Sequence, residues 1–194
     1  MVWRYDPVLF NERYPAEYHF RAFEAIAEGI CGCTDKVVIS FLDCYGKTKR
    51  NMRGIPLELP DEETMKRTGE RFVKTAEKYG MTVESCAETV DLSEVGVRHG
   101  SCVDPAMIER ILGVPVRMKK DKNQRPECGC VESVETGAYD TCLCGCKYCY
   151  ANDSEGAVMR RREEYDVDSP LLCGRVEEGD RITVRRTSRI LTGE

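Results

Sequence analysis

Long apolar runs, histidines, aromatics and surplus positive charge are all scarce in this chain. Aromatic residues make up 8% of its 194 positions and histidines number two. No stretch reaches the roughly 18 consecutive apolar residues that a membrane-spanning helix needs, which excludes a span of that kind. Lys and Arg total 29 against 34 Asp and Glu, a net charge of −5. The balance therefore weighs against a dedicated nucleic-acid binder, which needs a basic face to displace counterions, although a local basic groove is compatible with it. No internal repeat or low-complexity tract occurs. The opening Met1-Val-Trp-Arg-Tyr-Asp6 shows no basic segment followed by an apolar one, so no secretory signal is read and a reducing cytoplasm is the expected compartment. A composition of 41% hydrophobic and 32% charged residues is that of an ordinary globular protein and excludes disorder.

Cysteine is what the chain has in excess, at 12 residues, though this is below the density of a disulfide scaffold. Six of them fall between Cys128 and Cys149, in Cys128-Gly-Cys130 and Cys142-Leu-Cys144-Gly-Cys146-Lys-Tyr-Cys149. The chain is too tight there for most pairs to reach disulfide geometry without strain. Bundled thiols in a reducing compartment point to metal binding.

The pattern upstream is strand, helix, strand, helix, strand, helix. Strands are expected at Val2 to Tyr5, at the β-branched run Lys36 to Asp43, and at Met81 to Cys86. Helices are expected from Ala16 to Glu28, from Glu62 to Tyr79 with Asp61 as cap, and from Asp104 to Leu112. This predicts a parallel α/β fold, with Asp6, Asp43 and Cys86 to Glu88 delivering polar groups to one rim. Three units cannot close a barrel and the chain opens inside a strand. The expectation is a partial (β/α) barrel of parallel strands, the C-terminal part of a longer protein. The expected organisation is 1–118 partial barrel, 119–155 cysteine-rich segment and 156–194 C-terminal extension, with a last alternating strand at Arg181 to Arg186.

Cys142, Cys146 and Cys149 form C-x3-C-x2-C, a spacing by which one short loop can hold three irons of a cubane and leave the fourth open. With Tyr148 just before Cys149, this resembles the signature of the radical S-adenosylmethionine superfamily, C-x3-C-x-aromatic-C. Trp3-Arg-Tyr-Asp-Pro7, Cys86-Ala-Glu88, Gln124-Arg125, Cys128-Gly-Cys130 and Tyr139-Asp-Thr-Cys142 through Tyr150-Ala-Asn152 further resemble an uncharacterised family, domain of unknown function 1848, over nearly the whole chain. Two features depart from these patterns. The motif lies near the end rather than the start of the barrel, and Cys144 stands where the family tends to carry histidine.

The resemblance implies a [4Fe-4S] cluster on Cys142, Cys146 and Cys149, and S-adenosylmethionine on the open iron. It implies Tyr148 near the adenine, with Tyr150 and Asn152 beside it. Reductive cleavage of the sulfonium would yield a deoxyadenosyl radical acting on a substrate the motif does not name. A low-potential donor such as ferredoxin or flavodoxin would supply the electron.

Other readings stand beside this one. Cys128-x-Cys130 with Cys146-x2-Cys149 is close to a zinc-ribbon spacing, and a closed electron-transfer cluster is a third alternative. Cys86, Cys102, Cys128 and Cys130 form a candidate second site, for an iron–sulfur cluster or zinc; the plainer alternative is four small buried hydrophobes. That plainer reading is preferred for Cys44 and Cys173. Gly46-Lys47-Thr48 resembles the end of a phosphate loop, but Phe41 stands where its first glycine belongs. His19 and His99 lack ligand company, Arg4 and Asp6 suit a rim ion pair, and Arg160 to Glu164 suits a solvated helix face.

Overall fold

The computed structural model describes residues 1–44 and 46–184. The elements run β1 (Trp3–Val8), α1 (Ala16–Gly29), β2 (Lys36–Phe41), α2 (Gly46–Asn51), α3 (Glu62–Lys78), β3 (Thr82–Cys86), β4 (Arg98–Gly100), α4 (Pro105–Leu112) and α5 (Glu155–Glu163), with one 3-10 turn at Ser93–Val95. The chain divides into two compact units. Of the described residues, one unit comprises Met1–Asp43 and Pro56–Ser133; the other comprises Cys44–Ile55 and the chain from Val134 to Val184.

The first unit carries a four-stranded sheet in the order β1-β2-β3-β4, every neighbouring pair parallel. The expected α/β class with a parallel sheet is thus present. β2 is central, and Val37, Val38, Ile39 and Phe41 are all buried, as expected of a strand covered on both faces. Helix α1 buries Ala16, His19, Phe23 and Ala27, one stripe at helical spacing. Helix α3 buries Thr68, Gly69, Phe72, Thr75 and Ala76. The two stripes meet where Phe23 stacks on Phe72, ring centroids 4.2 Å apart and planes within 10°. Trp3 and Tyr5 of β1 close the aromatic group.

Helix α3 begins where Asp61 accepts the Thr64 amide hydrogen at 2.8 Å, which supplies one of the helix's unpaired donors with an acceptor. Asp61→Ala is expected to destabilise the helix start, read as a lower urea midpoint at unchanged slope. Near the beginnings of the strands, Lys36 is buried between Glu84 at 2.7 Å and Asp104 at 3.3 Å. Burial opposes its charge, and the two carboxylates outweigh that and raise its pKa. Asp104 also caps α4 by accepting from Ala106 N–H at 2.9 Å.

Two elements fall outside the expected pattern. β4 has three residues, two of them exposed, so no alternation announces it. The segment expected as a loop after β2 contains α2, whose sequence GKTKRN carries no apolar stripe. Of the strand expected at Arg181 to Arg186, residues 181–184 adopt no regular structure and the last two lie outside the described residues. No helix among the described residues is long and apolar enough to cross a membrane.

Candidate metal centres

The second unit builds its cysteine loop from turns held by side chains. Gly145, with φ +63°, occupies the left-handed region that glycine tolerates best, which reverses the chain between Cys144 and Cys146. Asn152 ties the two ends of the motif: its Nδ2 donates to the Cys142 carbonyl at 2.6 Å and its backbone N–H donates to Cys149 Sγ at 3.3 Å. Asp140, at φ 60°, accepts the Asp153 amide hydrogen. Lys47 of α2 pairs with Asp153 at 2.8 Å and donates to the Tyr150 carbonyl at 3.1 Å. Ser154 then caps α5, accepting from Ala157 N–H at 3.1 Å.

Cys142, Cys146 and Cys149 all line one cavity of about 420 Å³, together with Asn51, Lys147 and Asn152 among others, and Cys144 does not line it. The cavity wall thus takes the three signature cysteines and leaves out the one between them. Cys144 instead sits beside Cys142, and its amide and thiol hold the Cys142 pKa below the ordinary thiol value while its own is raised. Asn152 Oδ1 is buried without a hydrogen-bond partner among the described residues, an arrangement that ordinarily costs about 1–3 kcal/mol and marks a place for a donor. Tyr148 and Tyr150 are not in the lining, and Tyr150 is exposed. Motif reasoning missed Asn51, Lys147, Asp153 and Glu155 of the lining, since nothing in a spacing pattern marks them.

The first unit draws the other four cysteines into a chain of contacts. Cys86 and Cys102 sulfurs are 3.2 Å apart, Cys102 also interacts with Cys130, and Cys130 with Cys128. The Cys130 sulfur accepts backbone N–H groups from Cys102 at 3.2 Å and Val103 at 3.4 Å. Arg4 Nη1 donates to Cys102 Sγ at 3.0 Å while its Nη2 holds Asp6 at 2.6 Å. The Arg4–Asp6 pair is present, then, and its guanidinium also reaches sulfur. Cys102 is pulled down to about 5 by the hydrogen bond from Cys86 and, against burial, by Arg4; the Cys86 thiol is pushed up as the donor of that pair and by burial. Among the described residues no group of three or more His, Cys, Asp or Glu side chains closes as a ready metal-ligand set; the four sulfurs are strung in sequence.

The remaining expectations resolve simply. His19 is buried, sharing a 2.9 Å hydrogen bond with Tyr5 Oη and another of 2.8 Å with the Leu9 carbonyl, so its role is structural. His99 is exposed. Cys44, expected as a packing residue, is exposed, because the chain leaves the core after β2; Cys173 is half-buried. Arg160 to Arg162 lie in the last turn of α5 and are exposed. Beyond the strand ends, Asp43 pairs with Arg125 at 2.6 Å, and Glu88 accepts the Phe41 amide hydrogen at 2.8 Å while burial raises its pKa.

A family model described as Domain of unknown function (DUF1848) matches residues 1–151. No curated protein and no solved structure matches the chain.

Proposed function

The chain belongs to the family described as Domain of unknown function (DUF1848), and on that footing we propose that it is an iron–sulfur protein of the radical S-adenosylmethionine kind, with a [4Fe-4S] cluster on Cys142, Cys146 and Cys149. The observation that carries this reading is the cavity that takes these three cysteines and not Cys144. The orphaned Asn152 Oδ1 supports it, since a polar ligand beside the thiols would satisfy that acceptor. Such a cluster would supply one electron for reductive cleavage of bound S-adenosylmethionine.

The chain's own residues then have definite roles. The Asn152 N–H eases the charge on the Cys149 thiolate, and its Oδ1 accepts from the ligand's ammonium group. Asp153 and Glu155 add negative charge to the lining, and Lys147 a positive one, which suits a ligand carrying an ammonium, a sulfonium and a carboxylate. Lys47 fixes the loop by holding Asp153 and the Tyr150 carbonyl. The adenine place that the motif resemblance implies for Tyr148, with Tyr150 next to it, would lie at the margin of this cavity, since neither ring is in its lining. A low-potential ferredoxin or flavodoxin is the fitting donor. Consecutive parallel strands lying side by side suit part of a longer (β/α) barrel, and the sheet is read so within this proposal.

The test is anaerobic. S-adenosylmethionine added to the reduced, iron-loaded protein is expected to change its electron paramagnetic resonance spectrum and release 5′-deoxyadenosine slowly without substrate. Asn152→Ala, compared at matched iron content, is expected to weaken S-adenosylmethionine binding about tenfold, the value of one good hydrogen bond. A loaded, reduced cluster that ignores S-adenosylmethionine would instead be a closed electron-transfer cluster. Stoichiometric zinc with no iron uptake would make the loop part of a structural zinc module.

A further inference from the structure

We propose that Cys86, Cys102, Cys128 and Cys130 hold a single zinc ion in the first unit, at a site independent of the Cys142–Cys149 loop. Three residue pairs link the four cysteines in sequence, and the 3.2 Å separation of the Cys86 and Cys102 sulfurs favours one ion over a cluster. Two sulfurs on one tetrahedral ion at about 2.3 Å each stand about 3.8 Å apart, so that pair needs to part by only about half an ångström. In a cubane each thiolate sits on a different iron, which demands a far wider set.

The donors around the sulfurs point the same way. Arg4 Nη1 and the amides of Cys102 and Val103 aim three N–H groups at two sulfurs. Thiols are weak acceptors, whereas thiolates on a metal are routinely supported by such donors. Four thiolates on a dication leave a net charge of −2, and the Arg4 guanidinium stands where it offsets part of it.

The backbone is bent to bring the sulfurs together. Ala87, directly after Cys86, sits at φ 52°, a left-handed conformation unfavourable for an L residue. It packs with buried Cys128 and Cys130. Gly129 passes so close over the turn after β4 that a Cβ there would lie 3.3 Å from the Gly100 carbonyl oxygen, so the glycine lets both cysteines of Cys128-Gly-Cys130 approach. The left-handed residue and the close crossing gather Cys86, Cys128 and Cys130 within one small cluster, an arrangement intelligible as part of a ligand set.

Zinc analysis of the full chain carrying Cys142→Ala, Cys146→Ala and Cys149→Ala together tests the site apart from the cluster. One zinc per chain is expected, and Co2+ added after zinc removal should give the intense visible bands of a tetrahedral tetrathiolate. In the same background Arg4→Gln is expected to weaken zinc about tenfold. Cys102→Ser should weaken it beyond the roughly 100-fold upper range for a supporting group. Because Cys102→Ser disturbs the fold less than removal of a buried thiol, and because the cobalt spectrum is read on the chain with all four thiols intact, misfolding of one variant leaves the test standing. A triple variant that takes neither zinc nor cobalt overturns the proposal. So does one that takes iron and sulfide on these four thiols, and so does zinc that is present in the unmodified chain and disappears with Cys146 and Cys149, which would locate it on a ribbon spanning both pairs.

Discussion

Anaerobic reconstitution of Cys142→Ala, Cys146→Ala or Cys149→Ala is expected to leave the loop without its four irons and without thiolate-to-iron absorption, whereas Cys144→Ala keeps both. The contrast is large because a cubane held by three thiolates loses a third of its anchors with each substitution, and metal-dependent sites are stabilised largely by the ligand bonds themselves. Cys144 plays a different part, since it sits beside Cys142 and lies outside the cavity lining. Iron content and absorption of the four single variants settle the matter. Loss in the Cys144 variant alone would overturn the ligand assignment, and equal retention in all four would remove the cluster from this loop.

Phe72→Ala is expected to destabilise the first unit by about 3–5 kcal/mol, the usual cost of a buried phenylalanine, out of a total of about 5–15 kcal/mol for a domain. Phe72 is fully buried, stacked on Phe23 and edge-on to Tyr5 and Phe20, so the hole it leaves is walled by rings that cannot collapse into it. Phe23→Ala is expected to cost as much, and the double variant less than the sum, because the second truncation enlarges an existing cavity. Urea unfolding of the three variants measures both effects. A cost below about 1 kcal/mol for Phe72→Ala would mean that helices α1 and α3 are not held by this contact.

The residues that made the fold legible are those whose side chains repeat with the period of their element. Phe23 and Ala27 on α1, Phe72 and Ala76 on α3, and Val37, Val38, Ile39 and Phe41 on β2 all announce their burial by pattern. Asp61 announces a helix start by its type, and it caps one. β4 gives no such sign, because an edge strand of three residues is held by pairing to β3 and not by an apolar face. α2 is equally silent: Lys47 is placed by Asp153 and Tyr150, partners far along the chain, and local pattern holds no record of them. At the sites, cysteine spacing separated Cys142, Cys146 and Cys149 from Cys144. It did not reveal Arg4 against Cys102 or Asn152 across the loop, since those contacts depend on tertiary approach.

The division of the chain into interleaved units has a consequence for the order of synthesis. Lys47 precedes Tyr150, whose carbonyl it holds, by 103 residues; at translation rates of about 5–20 residues per second the α2 segment waits roughly 5–20 s for its partner. In that interval Pro56–Ser133 joins the earlier-made Met1–Asp43, which completes the set Cys86, Cys102, Cys128 and Cys130. On the proposed assignment, the four-thiol site can therefore take its ion and fix the turn after β3 before the Cys142–Cys149 loop has emerged and closed. Metal loading would follow chain order, with zinc captured during elongation and the cluster delivered only to the finished loop.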